Sequence, residues 1–429
     1  MMKKKIEPAN RLRGSILLPA DKSIAQRAAL FALLSEEPSK ITNYPVAQDP
    51  QTALACIRKL GARVKHHDMT IRIEGTGRDR MTSPDVIDCG NSGTVMRLLA
   101  GILVGAGIPS VLTGDASLSR RPMMRIIDPL TQMGADITSA KGGLPPLELQ
   151  RKGSFRPIRF RLPVASAQLK SCILLAGLFC EEPTRVIETV VSRNHTETML
   201  GLPMTDDGEQ KIIYSSRDHV IPPQNLEIPG DFSAAAFWLV AASIVEGSEI
   251  ELQSAGINPT RCAALHILRR MGADIDIEQE EFFGNEPVAR LRVKSARLIP
   301  TAISAGEIPN AIDELPVLCV AMAFADGVSR ISGAEELRYK ESDRLAAIQS
   351  LLEAGGVPVE AQKDGLVIYG DPERRIRAAA LDSRHDHRIA MSAAIMSLKG
   401  DDMSEISNAE AAAVSYPDFW THLDSLAHK

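Results

Sequence analysis

An apolar helical run that ends in a glycine turn, with an alternating strand often following it, recurs along this chain, and such a repeat restricts the fold more than any single residue does. Leu60-Gly61-Ala62, Met133-Gly134-Ala135 and Met271-Gly272-Ala273 each close one copy, with weaker copies at Leu200-Gly201-Leu202 and Ala354-Gly355-Gly356. The interval is about seventy residues, stretched to about eighty before the last glycine, and Pro417 to Lys429 reads as a sixth, shortened copy. A glycine just past a helix adopts the left-handed conformation that a Cβ disfavours. Met69-Thr70-Ile71-Arg72-Ile73 and Arg290-Leu291-Arg292-Val293 then alternate as half-buried strands do.

A second periodicity is three times longer. Asp49-Pro50 and Asn258-Pro259 both read as an N-cap followed by proline at the first helical position, and Pro19-Ala20-Asp21-Lys22-Ser23 is echoed by Pro229-Gly230-Asp231-Phe232-Ser233. Each pair is separated by about 210 residues. The 429 residues therefore predict two similar domains of three units each, in an α/β (α+β) architecture. The expected boundaries are 21–228 for the first domain, with 1–20 and 229–429 forming the second.

Composition narrows the function. With 44% hydrophobic and 24% charged residues, a net charge of −5 and no basic block longer than Lys3-Lys4-Lys5, the chain does not read as a nucleic-acid binder. Ala234 to Val245 is apolar but too short to span a bilayer, and Arg97 interrupts the run from Val95 to Ile108. No apolar region follows the N-terminal lysines, so no signal peptide or anchor is expected and a cytoplasmic location is. Cys56, Cys89, Cys172, Cys180, Cys262 and Cys319 form no CxxC pair and mostly sit in apolar surroundings, which predicts buried reduced thiols and no zinc site. Gly75 and Gly77 do not continue into a dinucleotide fingerprint, and neither a Walker A loop nor a GxSxG elbow is present. His66 and His67 read as a solvated strand-edge pair, and His195 as a residue that orients a helix start.

Each unit opens with a small polar cluster before an apolar helix: Asp21-Lys22-Ser23, Gly90-Asn91-Ser92-Gly93-Thr94, Ser166-Ala167-Gln168, Asp231-Phe232-Ser233, Asp313-Glu314 and Asp386-His387-Arg388. Residues of these types are good helix starts, and plain capping explains them as well as ligand binding does. The cations favour a site. Lys22, Arg27, Arg121, Arg193, Lys340, Arg344 and Arg388 recur near unit openings, and Lys340 and Arg344, four apart, are expected to share a helix face. Cations beside helix N-termini suit anionic ligands. Asp313 and Glu341, acids among these cations, are the candidate proton-transfer groups.

Taken together, LPADKSIAQRA from Leu18, CGNSGTVMRLLAG from Cys89, LTGDASLSRRPMMRIIDPL from Leu112, VASAQLKS from Val164, SRNHTETML from Ser192, IDELPVL from Ile312, ELRYKESDRL from Glu336 and DHRIAMS from Asp386 resemble the 5-enolpyruvylshikimate-3-phosphate synthase family of enolpyruvyl transferases, in family order and over nearly the whole chain. The resemblance implies two domains, each of three βαβαββ-type units, with the active site in a cleft between them. It implies transfer of the enolpyruvyl group of phosphoenolpyruvate to the 5-hydroxyl of shikimate-3-phosphate, with phosphate released, in the shikimate pathway to aromatic amino acids. Lys22, Ser23, Arg27, Ser166, the backbone of Ala167, Gln168, Ser192, Arg193, Asp313 and Lys340 would hold shikimate-3-phosphate. Lys22, Gly93, Arg121, Gln168, Arg344 and Arg388 would hold phosphoenolpyruvate. Asp313 would take the proton from the attacking hydroxyl, and Glu341 with Lys22 would add and remove the methylene proton. No metal and no organic cofactor is implied, and the protein is read as a monomer with small-molecule substrates and no nucleic-acid or membrane partner.

Four departures from the family pattern stand out. Ala20, Ala25 and Gln26 replace Gly, Ser and His in the first motif; Val414 stands where many members have lysine; the connection Met204 to Gly208 is short; and the last unit is expected to lack a terminal strand. Gly93 leaves room that a methyl group would fill, so the resemblance implies sensitivity to glyphosate. A related transferase acting on UDP-N-acetylglucosamine is the nearest alternative, but its usual loop cysteine is absent from Ala116-Ser117-Leu118-Ser119-Arg120. A catalytically silent anion-binding homologue is a second alternative, and it predicts damage to Lys22, Asp313 or Glu341, all of which are present.

Overall fold

The computed structural model describes residues 2–151 and 153–428. The chain forms two compact units: Ala20–Ile228 with Phe283–Glu286, and Met1–Pro19 with Pro229–Phe282 and Pro287–Lys429. Six helices, one opening each repeat, carry the polar clusters at their N-termini: α1 (Lys22–Leu34), α2 (Gly93–Ala106), α3 (Ala167–Gly177), α4 (Phe232–Ile244), α5 (Leu315–Ala323) and α6 (His387–Ser397). They are the most apolar helices of the chain, and every residue of α4, α5 and α6 is buried. A helix apolar on all sides belongs in a core, and the two units have separate cores built around these helices.

Each repeat runs strand, helix, strand, helix, strand, strand. In the Ala20–Ile228 unit the three sheets run, in order, Leu226–Glu227, Ser39–Thr42, Thr70–Glu74, Arg63–His67; Val86–Asp88, Ser110–Thr113, Leu144–Arg151, Ala135–Ala140; and Arg159–Arg161, Thr184–Glu188, Lys211–Ser215, Met204–Asp206. In all three the first pair is parallel and the others antiparallel. The first repeat takes its leading strand, Leu226–Glu227, from the far end of the unit, with Leu226 opposite Ile41.

The other unit follows the same plan. Arg11–Leu17 runs parallel to Glu249–Gly256, which continues antiparallel to Glu286–Lys294. Ala302–Ile303, Gly327–Ile331, Gly365–Gly370 and Val359–Gln362 form the second sheet. The third sheet, Ala380–Asp382 and Ser404–Ser407, is completed by the N-terminal strand Lys3–Ile6, with Lys3 opposite Ser407 and Ile6 opposite Ser404.

Several local expectations change. The left-handed turn holds at Gly61, Gly134, Gly201 and Gly272, but in the fifth copy Gly355 is right-handed at φ −76° and Gly356 takes the positive φ of 80°. Asp49 is not an N-cap: its helix is Gln48–Lys59, which places Asp49 in the first turn, where its charge still favours the helix dipole. Asn258 is not one either, because the following helix begins at Ala263 and Asn258 instead closes a turn with Thr260. Lys340 and Arg344 share no helix face, since Asp343 caps the helix Arg344–Ala354 and leaves Lys340 outside it. The last repeat does have a terminal strand: Ala427–His428 pairs with Arg11–Leu12 at the edge of the Glu249–Gly256 sheet, a long-range pairing no local pattern announces. The six cysteines are buried and free. Among the described residues no helix is long and apolar enough to cross a membrane.

Candidate active site

The polar clusters are helix caps and also the places where functional side chains gather. Asp21, Ser92, Ser166, Asp231 and Asp386 each accept a backbone N–H in the first turn of α1, α2, α3, α4 and α6. A cap of this kind satisfies one or two of the four orphan donors, and the rest remain for other partners.

In the Ala20–Ile228 unit the starts of α1, α2 and α3 converge. The Ser92 hydroxyl donates to Gln26 Oε1 at 3.3 Å, so Gln26, one of the departures, lies buried as a tie between α1 and the α2 cap. Gln168 Nε2 donates to Thr94 Oγ1 at 2.9 Å, while its Oε1 accepts from Arg97 Nη1 at 2.5 Å. Arg97 also reaches Pro122 O. Arg121 donates to Asn91 Oδ1 at 2.8 Å and to Ser117 Oγ at 3.1 Å. Gly93 lies between these two cations: a Cβ there would stand 2.9 Å from Arg97 Nη1 and 3.7 Å from Arg121 Nη1. Sequence reasoning noted Arg97 only as a break in an apolar run. That break was the available signal, because a cation inside an apolar helix must find polar partners.

A second cluster joins α1 to the loop before the short helix His195–Leu200. Arg27 Nε donates to Thr196 Oγ1 at 3.0 Å, Nη1 to Ser23 O at 3.1 Å and Nη2 to Ser171 Oγ at 3.4 Å. Burial pushes the Arg27 guanidinium down to about 10, and neighbouring Arg193 adds to this, so Arg27 stays charged at neutral pH. Below them Lys170, wholly buried, donates to Glu188 at 2.9 Å and to Glu197 at 2.6 Å. Ser192 donates both its N–H and its hydroxyl to Glu188, so it anchors the loop that carries Arg193. His195 opens the helix with its Nδ1 2.8 Å from Glu286. Lys22 and Ser23, half-buried, begin α1, and Ser166 and Ala167 begin α3.

In the other unit the predicted acids and cations meet. Arg344, fully buried, donates to Asp386 from Nε at 2.8 Å and from Nη2 at 3.3 Å, and Nη2 also donates to Glu341 at 2.6 Å. Asp313 stands 3.7 Å from Arg344 Nη1 and 3.8 Å from Arg388 Nη2. Arg388 further donates to the Asp313 backbone carbonyl at 2.7 Å and to Ser233 Oγ at 3.1 Å. Burial lifts the Glu341 carboxyl, but the Arg344 guanidinium and His387 outweigh it and hold it well below the usual carboxylate range. Asp386 follows the same balance: burial opposes its charge and Arg344 restores it. Lys340 lies apart from this group, 3.6 Å from Glu336. Val414 is exposed at the end of the turn Ala409–Val414.

Two guanidinium groups with two carboxylates between them, in one unit, can hold an acidic ligand and move protons beside it. The polar starts of α1, α2 and α3, in the other, can hold a phosphate.

Residues 6–423 match the family described as EPSP synthase (3-phosphoshikimate 1-carboxyvinyltransferase). The 3-phosphoshikimate 1-carboxyvinyltransferase of Salinibacter ruber is 47% identical over 425 residues, covering 98% of this chain and 99% of that protein. That of Herpetosiphon aurantiacus is 44% identical over 426 residues, covering 98% of each. Among solved structures, EPSP synthase from Acinetobacter baumannii superposes with a TM-score of 0.89 at 36% identity, covering 100% of this chain and 98% of that one. The enolpyruvyl transferase NikO from Streptomyces tendae shares the fold, with a TM-score of 0.76 at 18% identity over 98% of this chain and 96% of that one.

Proposed function

This chain belongs to the EPSP synthase family, and we propose that the side chains gathered in its two units carry that family's reaction. The protein transfers the enolpyruvyl group of phosphoenolpyruvate to the 5-hydroxyl of shikimate-3-phosphate and releases phosphate, a step toward the aromatic amino acids. The observation that carries the residue assignment is that Asp313 and Glu341 both face the Arg344 guanidinium, at 3.7 and 2.6 Å.

Arg344 and Arg388, with Arg121, Lys22, Gln168 and the open space at Gly93, are read as the phosphoenolpyruvate ligands. Lys22, Ser23, Arg27, Ser166, the Ala167 N–H, Gln168, Arg193, Asp313 and Lys340 are read as holding shikimate-3-phosphate, with Ser192 fixing the Arg193 loop. The 5-hydroxyl adds to C2 while its proton passes to Asp313 and C3 gains a proton. Phosphate then leaves the tetrahedral intermediate as C3 gives a proton up. Glu341 and Lys22 serve C3 in both directions. The chemistry of Arg344 supports this order. While it pairs with Glu341 that carboxyl is a poor acid; an incoming carboxylate that takes up the guanidinium leaves Glu341 more basic and able to carry a proton.

Phosphate release from phosphoenolpyruvate with shikimate-3-phosphate is the expected result, with none when UDP-N-acetylglucosamine is the acceptor. Asp313→Ala is expected to lower kcat by at least about 100-fold, the usual scale for a lost general base. Millimolar glyphosate is expected to inhibit in competition with phosphoenolpyruvate. Full turnover by Asp313→Ala would remove the assigned base. The same reading takes the protein as a cytoplasmic monomer with small-molecule ligands; a dimer in sedimentation velocity would correct it.

A further inference from the structure

Glu314 adjoins Asp313 and precedes α5, yet its side chain makes no capping bond to that helix. The carboxylate is wholly buried. Its Oε1 accepts from the Ser233 hydroxyl and from Arg261 Nη1 at 2.9 Å, and Arg388 Nη1 stands 3.7 Å away. Oε2 is buried with no hydrogen-bond partner among the described residues. Arg261 also donates to the Ser233 hydroxyl and lies 3.4 Å from Asp231 Oδ1. A carboxylate taken wholly out of water persists only when paired, so this one is held by two arginines and a hydroxyl that converge on one oxygen.

The two units make different use of the same position. Ser233 follows the capping Asp231 as Ser23 follows the capping Asp21, and in both the aspartate accepts the serine N–H at 2.7 Å. The Ser23 hydroxyl makes no hydrogen bond to the described residues and faces the place assigned to a substrate anion. The Ser233 hydroxyl is occupied by the chain's own anion, and through that hydroxyl Arg388 Nη2 is fixed at 3.1 Å.

We propose that Glu314 is a built-in anion filling the position beside Ser233, and that it acts as a positioning residue which aims Arg388 at phosphoenolpyruvate. This rests on Arg388 being a phosphoenolpyruvate ligand. Glu314 touches no substrate; it neutralises Arg261 and holds the Ser233 hydroxyl against which the Arg388 guanidinium is set. Arg261 in turn keeps Glu314 from competing for Arg388 as a full ion pair, which leaves that guanidinium able to accept a second anion.

The test is steady-state kinetics of Glu314→Gln and Glu314→Ala with each substrate varied in turn. Glu314→Gln is expected to raise the KM for phosphoenolpyruvate about tenfold while the KM for shikimate-3-phosphate stays within about twofold. In Glu314→Ala, formate is expected to restore much of the phosphoenolpyruvate KM and formamide is not, because only formate returns a charge to the vacated space. Ser233→Ala, which keeps the Arg261–Glu314 pair, is expected to raise the same KM alone, and decides the matter if the Glu314 variants do not fold. An unchanged phosphoenolpyruvate KM in a folded Glu314→Gln protein, or an equal rise in both KM values with no formate effect, overturns the proposal. Arg388→Lys is run alongside. If it raises the phosphoenolpyruvate KM while Glu314→Gln does not, the positioning role alone falls; if it leaves that KM unchanged, the assignment of Arg388 falls first.

Discussion

Arg344 shows how one side chain can be both structural and chemical. Its two bonds to buried Asp386 fix the guanidinium plane, and Asp386 is itself held by Ser342 and by the Arg388 N–H at the start of α6. The face turned away from Asp386 meets Glu341 and Asp313. A depressed carboxyl stabilises the fold above its unfolded value, near pH 4.3 for glutamate, and loses that contribution as pH falls toward the folded value. Glu341→Gln should therefore be less stable than the parent protein at pH 7, by about 1 kcal/mol or less because the side chain is 38% exposed and screened. The deficit should shrink once the pH is below about 4. Urea unfolding at pH 7, 4 and 3 measures it, and a deficit independent of pH would show that Arg344 does not hold Glu341 in its charged form. At this scale the sequence gave up residue types readily, because the motifs name the cations and acids. It did not disclose their partners. Arg97 finds Gln168 across 71 positions and Arg261 finds Glu314 across 53, distances over which no local spacing predicts a contact.

Helix ends record the repeat most directly. Gly201 ends its helix at φ 66°, and a Cβ there would meet no heavy atom within 4 Å, so replacing it tests backbone conformation without a steric term. Gly201→Ala should cost about 1 kcal/mol in denaturant unfolding, and Gly201→Asn less, since asparagine tolerates the left-handed region better. No loss with alanine would mean that this turn relaxes to another conformation. Gly101 is the contrasting case: a Cβ would fall 2.2 Å from the Cys172 carbonyl, so its absence lets α2 and α3 approach closely. The glycine turns were legible because left-handed backbone restricts residue choice locally. The starts of the second helices in the repeats were not: the proline at Asp49-Pro50 lies within the first turn, and the one at Asn258-Pro259 lies in a separate turn before Ala263. Proline is compatible with both settings, so the dipeptide alone does not choose between them.

At the scale of the whole molecule, sheets are completed by strands remote in sequence. Lys3–Ile6 supplies the antiparallel partner of Ser404–Ser407, and Ile6 is buried in the core of that unit. Removing residues 1–7 should expose the Ser404–Ser407 edge. Hydrogen exchange should then lose protection at Ser404–Ser407 and Ala380–Asp382 while Ser110–Thr113, in the other unit, keeps it. Equal loss in both would show that the units do not unfold separately. The repeat length, the helix starts, the glycine turns and the types of side chain at the site were all written in the sequence, because periodicity, capping and left-handed backbone act over a few residues. Only the tertiary structure decided which remote strand closes each sheet, that a terminal strand joins Arg11–Leu12, and which buried carboxylate neutralises which arginine. Any strand of suitable pattern offers the same backbone donors and acceptors, and any carboxylate the same charge. The selection is made when all the groups are buried together and none can be left unpaired.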